Sequence, residues 1–134
     1  MIMKKFAAFV LLSLCLSCTP KQSNAVFLSA DEMKDIMAMD TVQLIDVRSL
    51  EEFREGHLKG AQNLIYDSEF DQKIKSLDKS KPVAVYCRTG RRSEECSKLL
   101  EEAGFEQIYQ LEGGLTEWQY KDELIIETPL PDAE

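Results

Sequence analysis

Histidine occurs once, at His57, and tryptophan once, at Trp118, in a chain of 134 residues. With a single imidazole and no close Cys-x-x-Cys pair after residue 18, the chain holds no ligand set for a zinc-type metal site. Basic residues are also in the minority, 16 Lys and Arg against 24 Asp and Glu, for a formal charge of −8. Lys4 and Lys5 stand in the first seventeen residues beside no acid, so the remainder carries −10. That balance argues against nucleic acid as a partner. No apolar stretch reaches the ~20 residues of a membrane-spanning helix, and no internal repeat is present. What is there is ordinary for one compact soluble domain with a modest core: 44% hydrophobic residues.

The amino terminus reads as an address. Lys4 and Lys5 precede the apolar run Phe6 to Leu16, the pattern of a bacterial secretion signal over residues 1–17. Cys15-Leu16-Ser17-Cys18 resembles a lipobox, in which Cys18 becomes the lipid-bearing first residue of the mature chain. The alternative is ordinary cleavage after Ala25, because Ser23-Asn24-Ala25 has small residues at the two required positions. Residues 18–28 then form a tether. The expected location is the cell envelope of a bacterium, lipid-anchored and facing the periplasm, with the membrane touched through the anchor only.

From Ser29 onward helical and strand patterns alternate. Ser29 and Glu32 have capping-box spacing, with Leu28 and Met33 as the hydrophobic staple, and predict a helix to about Met39. Val42 to Val47 reads as a strand, and Ser49 with Glu52 repeats the capping box for a short helix closed by Gly56. Ala61 to Ile65 reads as a short strand, Phe70, Ile74 and Leu77 mark a helix, and Gln107 to Leu111 is a further strand. The alternation implies an α/β fold, a parallel sheet covered by helices on both faces. Residues 122–134, with Pro129 and Pro131, read as a loose or edge-lying tail.

The chemistry concentrates at Val83-Ala84-Val85-Tyr86-Cys87-Arg88-Thr89-Gly90-Arg91-Arg92-Ser93. Pro82 introduces an apolar run suited to a strand buried on both faces. Ser93 can cap the following helix, whose inner stripe is Cys96, Leu99, Leu100 and Ala103 and whose stop is Gly104. Cys87 therefore stands at the carboxyl end of a strand and the amino end of a helix, where open parallel sheets place ligands. Backbone N–H groups, the helix end and the side chains of Arg88, Arg91 and Arg92 all favour a negative charge there. Cys87 is expected to be largely thiolate.

These residues resemble the single-domain rhodaneses, sulfurtransferases whose catalytic cysteine opens a six-residue loop like Cys87 to Arg92 followed by Ser93. Further landmarks stand in order: Leu44 to Arg48, Glu52-Phe53, Gly56 to Asn63, and Leu111-Glu112-Gly113-Gly114 with Trp118. The resemblance covers residues 29–121. It implies that Cys87 takes the sulfane sulfur of thiosulfate or a similar small anionic donor as a persulfide. A thiol or cyanide acceptor then removes it, without a cofactor. Arg88, Thr89, Gly90, Arg91, Arg92 and Ser93 would bind the donor, with Asp46 and Arg48 as an ion pair at the pocket rim or a purely structural one. His57 reads as a turn-fixing residue rather than a base, Cys96 as a buried thiol and Trp118 as core.

Two rivals remain. Cysteine phosphatases and arsenate reductases place an arginine sixth after the cysteine, whereas Ser93 holds that position here and the arginines fall fourth and fifth. A non-catalytic redox or binding module would join Cys87 to Cys96, although one thiol should face the loop and the other the core.

Overall fold

The computed structural model describes residues 23–127. Five parallel strands lie in the order β1-β5-β4-β2-β3: β1 Val26–Leu28, β2 Gln43–Asp46, β3 Gln62–Asn63, β4 Val83–Tyr86 and β5 Ile108–Leu111. The helices are α1 Ala30–Met37, α2 Leu50–Glu55, α3 Phe70–Lys73 and α4 Arg91–Glu102. A single-domain α/β fold with a helix-covered parallel sheet is thus present. From β2 the chain steps outward to β3, then returns so that β4 lies between β2 and β5. The carboxyl end of β4 is the point where the strand order reverses, the usual mouth of an open α/β sheet.

Alternation along the strands divides the core. Ile45, Val83, Val85 and Ile108 face Phe70, Ile74, Cys96 and Leu100 on the side of α3 and α4. Leu44, Ala84, Tyr86 and Leu111 face Met33, Leu58, Leu115 and Trp118 on the other. All four residues of β4 are buried, because a central strand covered twice has no solvent face. Trp118 is core, as expected, and Cys96 is a fully buried free thiol.

Both capping boxes form. Ser29 and Ser49 accept the amides of Glu32 and Glu52, whose carboxylates accept back from the cap amides. Elsewhere the elements are shorter than patterning implied. α1 stops at Met37 and β3 keeps only Gln62–Asn63; α3 is a single turn continued by a 3-10 turn, Ile74–Ser76.

Two segments read as peripheral belong to the body. Val26–Leu28, assigned to the tether, is an edge strand paired with Tyr109 to Leu111. Its short apolar run carries no periodic signal, and only the neighbouring strand edge makes it a strand. Asn24 is fixed to α4 through Glu101 at 2.8 and 3.0 Å. In the tail, Ile125 and His57 exchange backbone hydrogen bonds of 2.8 and 3.0 Å, and the Glu127 amide donates to Arg54 O at 2.9 Å. Residues 124–127 are therefore docked rather than loose. The signal segment, Cys18 and residues 128–134 lie outside the described residues.

Asp46, the last residue of β2, and Arg48 just after it form a buried ion pair. Asp46 Oδ1 accepts Arg48 N and Nε at 2.9 and 3.0 Å, and Oδ2 accepts Nη2 at 2.7 Å. Arg48 Nη2 also donates to Gly56 O at 2.7 Å, tying the end of α2 to the sheet. His57 fixes the same corner: its ring stacks on Phe53 and Nδ1 bonds Phe53 O at 2.8 Å. Removing one member of a buried pair strands the other charge, at a cost of about 3–5 kcal/mol. Asp46→Ala should accordingly lower the unfolding free energy by ~3 kcal/mol, read from urea denaturation; a loss below ~1 kcal/mol would show Arg48 well hydrated without its partner.

Candidate active site

The site is built where β4 runs out. Cys87 follows the strand on the face shared with Val83 and Val85 and is fully buried. The chain then turns at Gly90, whose φ of 97° lies in the left-handed region that glycine alone enters without cost. That turn aims the Gly90 amide back at Cys87 Sγ, 3.1 Å away. It also starts α4 at Arg91, so Gly90 and not Ser93 is the cap. Ser93 sits inside the first turn, buried, with Oγ 3.0 Å from Gly90 O and 3.5 Å from Cys87 Sγ. The expected cap fails because the serine faces the sulfur instead of the helix end.

Burial pushes the Cys87 thiol up, but hydrogen bonds from the Ser93 hydroxyl and from the amides of Ser93, Gly90 and Thr89 outweigh it and hold the thiol below its ordinary value. Burial pushes the Cys96 thiol far up, so that cysteine stays neutral. Two free cysteines on one face of the sheet thus differ in kind, one with its thiol lowered by hydrogen bonds and one an inert hydrophobe.

The outgoing loop is clamped from behind. Leu115 N donates to Cys87 O and Thr116 N to Arg88 O, both at 3.0 Å. This approach needs Gly114, because a β-carbon there would lie 2.5 Å from Arg88 O and 2.6 Å from Cys87 O. In front of the loop is a cleft of about 360 Å³ lined by Arg48, Glu52, Arg88, Thr116 and Lys121 among others. A larger cleft of about 740 Å³ lies between α2 and Ile126–Glu127 and includes no residue of the loop.

Residues 29–121 match the family model described as the rhodanese-like domain. The chain belongs to this family. A rhodanese-like domain protein from Staphylococcus aureus superposes with a TM-score of 0.67 at 27% identity, covering 77% of this chain and 99% of that one. A Shewanella oneidensis protein named thiosulfate sulfurtransferase GlpE is 32% identical over 91 residues, 68% of this chain and 89% of its own length. A Cytophaga hutchinsonii protein named tRNA uridine(34) hydroxylase is 37% identical over 103 residues, 74% of this chain. The chain spans only 33% of that hydroxylase.

Within this rhodanese-like site the three arginines separate. Arg88 lines the cleft, and Arg88 and Arg91 are exposed and make no ion pair among the described residues. Arg92 is held by Glu52 of α2 through two bonds, Nη1 to Oε2 at 2.8 Å and Nη2 to Oε1 at 2.9 Å. Asp46 is fully enclosed, and of the Asp46–Arg48 pair only Arg48 reaches the cleft. Sequence reasoning missed the second use of Glu52, seen only as a capping-box residue. Forty positions separate it from Arg92, and no local pattern joins them. It also missed Gln110, whose polar side chain in the apolar run Ile108 to Leu111 was the available signal.

The bidentate bond to Arg92 lowers the Glu52 carboxyl from its ordinary 4.5 to about 2. A depressed carboxyl stabilises the fold above its unfolded pKa and loses that contribution as pH falls through the folded one. Glu52→Gln should therefore cost about 1 kcal/mol at neutral pH, a figure discounted because the pair is part exposed. The gap to wild type should close between pH 4.5 and about 2, which urea titrations across that range would measure. A gap unchanged at the acid end would mean that Glu52 acts through packing.

Proposed function

We propose that the chain is a sulfurtransferase that carries sulfane sulfur on Cys87. The observation that carries this reading is a buried cysteine sulfur held as an acceptor by the Gly90 amide at 3.1 Å, at the mouth of the sheet. A persulfide anion would gain from the same donors, as an oxyanion gains from an oxyanion hole. The Cys87 thiolate attacks the outer sulfur of thiosulfate, the sulfur–sulfur bond breaks, and sulfite leaves with the bonding pair. The attack of a thiolate or cyanide on the terminal sulfur then gives a persulfide or thiocyanate product and restores Cys87. No step calls on a cofactor. Arg88 and Lys121 in the cleft suit the sulfonate end of the donor.

The phosphatase-like reading is disfavoured because Arg92 is committed to Glu52 instead of a tetrahedral anion and Ser93 fills the sixth position. The redox-module reading gains nothing from Cys96, a fully buried thiol pushed far up by burial. The acidic balance of the chain, −8 overall, likewise gives no support to a tRNA substrate.

Thiosulfate alone should add the mass of one sulfur atom to the intact protein, and an acceptor thiol should remove it, with ping-pong kinetics. Cys87→Ala should lose both the adduct and turnover. Cys96→Ala should keep both and lose only about 1 kcal/mol of stability, the cost of a small core void. An adduct on the Cys87 variant, or a folded Cys96 variant without turnover, would refute the single-cysteine mechanism.

The reading includes a lipid on Cys18 that tethers the domain to a bacterial envelope membrane, facing the periplasm. Among the described residues no helix is long and apolar enough to cross a membrane. Ala25 joins the core and Asn24 is bonded to Glu101, contacts that cleavage after Ala25 would sever. Cys18→Ser should move the protein from the membrane to the soluble fraction or leave it unprocessed; a wild-type mature chain that begins at Val26 without lipid would end this assignment.

A further inference from the structure

Gln110 is out of character with its surroundings. It lies on β5 with no exposed surface, on the face where Ile108, Val85 and Val83 meet Cys96 and Leu100. Its Oε1 is 3.5 Å from Ser93 Oγ, and its Nε2 has no hydrogen-bond partner. A buried donor left unpaired costs about 1–3 kcal/mol, and native cores rarely keep one without a use.

The use follows from counting protons at Ser93. Its hydroxyl has one hydrogen and three neighbours: Gly90 O at 3.0 Å, Gln110 Oε1 at 3.5 Å and Cys87 Sγ at 3.5 Å. While Cys87 is a thiol, its S–H donates to Ser93 Oγ, and Ser93 donates to Gly90 O. Once the sulfur is an anion it must accept, and the serine hydrogen belongs on Sγ. The serine oxygen then lacks a donor. Rotation of the Gln110 amide about its terminal torsion exchanges Oε1 and Nε2 with almost no change of shape, and the orphaned N–H reaches Ser93.

We propose that Gln110 is a positioning residue for Cys87, its amide turning over when the sulfur becomes an anion so that Gln110 Nε2 donates to Ser93 Oγ and Ser93 Oγ donates to the sulfur. This rests on Cys87 working as an anion, and would hold for the thiolate and the persulfide alike. The other titratable and charged groups around the sulfur are committed elsewhere. Arg92 of α4 is bound to Glu52 of α2, Asp46 at the end of β2 to Arg48, Cys96 is a neutral thiol, and Tyr86 accepts the Leu58 amide. Arg88 and Arg91 are exposed.

The pH dependence of Cys87 alkylation by iodoacetamide, with the modified site confirmed by mass, reads the thiol pKa directly. Gln110→Leu and Gln110→Met should raise its midpoint by roughly half a unit to one unit. In a Ser93→Ala background, itself shifted upward, Gln110→Leu should add nothing. No shift in a folded Gln110 variant, or an equal shift with and without Ser93, would overturn the relay. In the wild-type chain, which needs no substitution, the Gln110 side-chain amide proton resonances should move with the Cys87 titration; resonances that ignore it would also overturn the relay. Failure of wild type to take sulfur from thiosulfate, with this coupling intact, would instead defeat the sulfurtransferase reading.

Discussion

The hydrogen bond from the Gly90 amide to Cys87 Sγ, 3.1 Å long, imposes most of the other requirements on this molecule. An anionic sulfur withdrawn from water costs free energy unless donors surround it. Side chains long enough to do so would have to be held in place, whereas amides of a turn are already rigid. The turn must double back within three residues, which needs a left-handed residue at Gly90. It must also leave the sheet at a point with space above it, which only the reversal of strand order beside β4 provides. An amide at this distance has no slack, so whatever holds the loop's far side also holds this donor on the sulfur.

Two supports lie outside the loop. Behind it, the backbone of Leu115 and Thr116 satisfies the carbonyls of Cys87 and Arg88, an approach open only to a glycine at position 114. To one side, the buried Asp46–Arg48 pair ties the end of β2 to Gly56 and so fixes α2, which in turn presents Glu52 to Arg92. The sheet, α2 and the start of α4 become one connected polar frame around an apolar centre. Such a frame resists distortion, because each broken bond would leave a buried group without a partner.

The electrostatics are local. The chain is acidic, −8 overall, while Arg88 and Lys121 line the cleft in front of the loop. The lowering of the thiol comes from hydrogen bonds in a buried setting more than from these exposed cations, since charges at the surface are screened by water. Under the proposed sulfur transfer the labour divides: amides and Ser93 set the reactivity of the sulfur, and exposed cations bear on what approaches it.

Much of this was legible in the sequence because it is written locally. Two capping boxes, the buried strand Val83–Tyr86, the cysteine directly after it and the helical stripe through Cys96 and Leu100 each depend on residues a few positions apart, and each is found in the structure. Capping and period are properties of short segments, so the fold class and the place of Cys87 at the end of the central strand followed from them. The strand Val26–Leu28 was not legible, because a three-residue edge strand exists only through the neighbour it pairs with. Nor could the sequence decide that Gly90 rather than Ser93 begins α4, since both are acceptable caps and the choice went to the residue whose turn satisfies the sulfur. Glu52 with Arg92, Gly114 beneath Arg88 O, and Gln110 under Ser93 join positions far apart in the chain. Local pattern was enough to put Cys87 at the end of a buried strand; which donors face its sulfur depended on the assembled fold, because distant side chains become neighbours only when the sheet brings their strands and helices together.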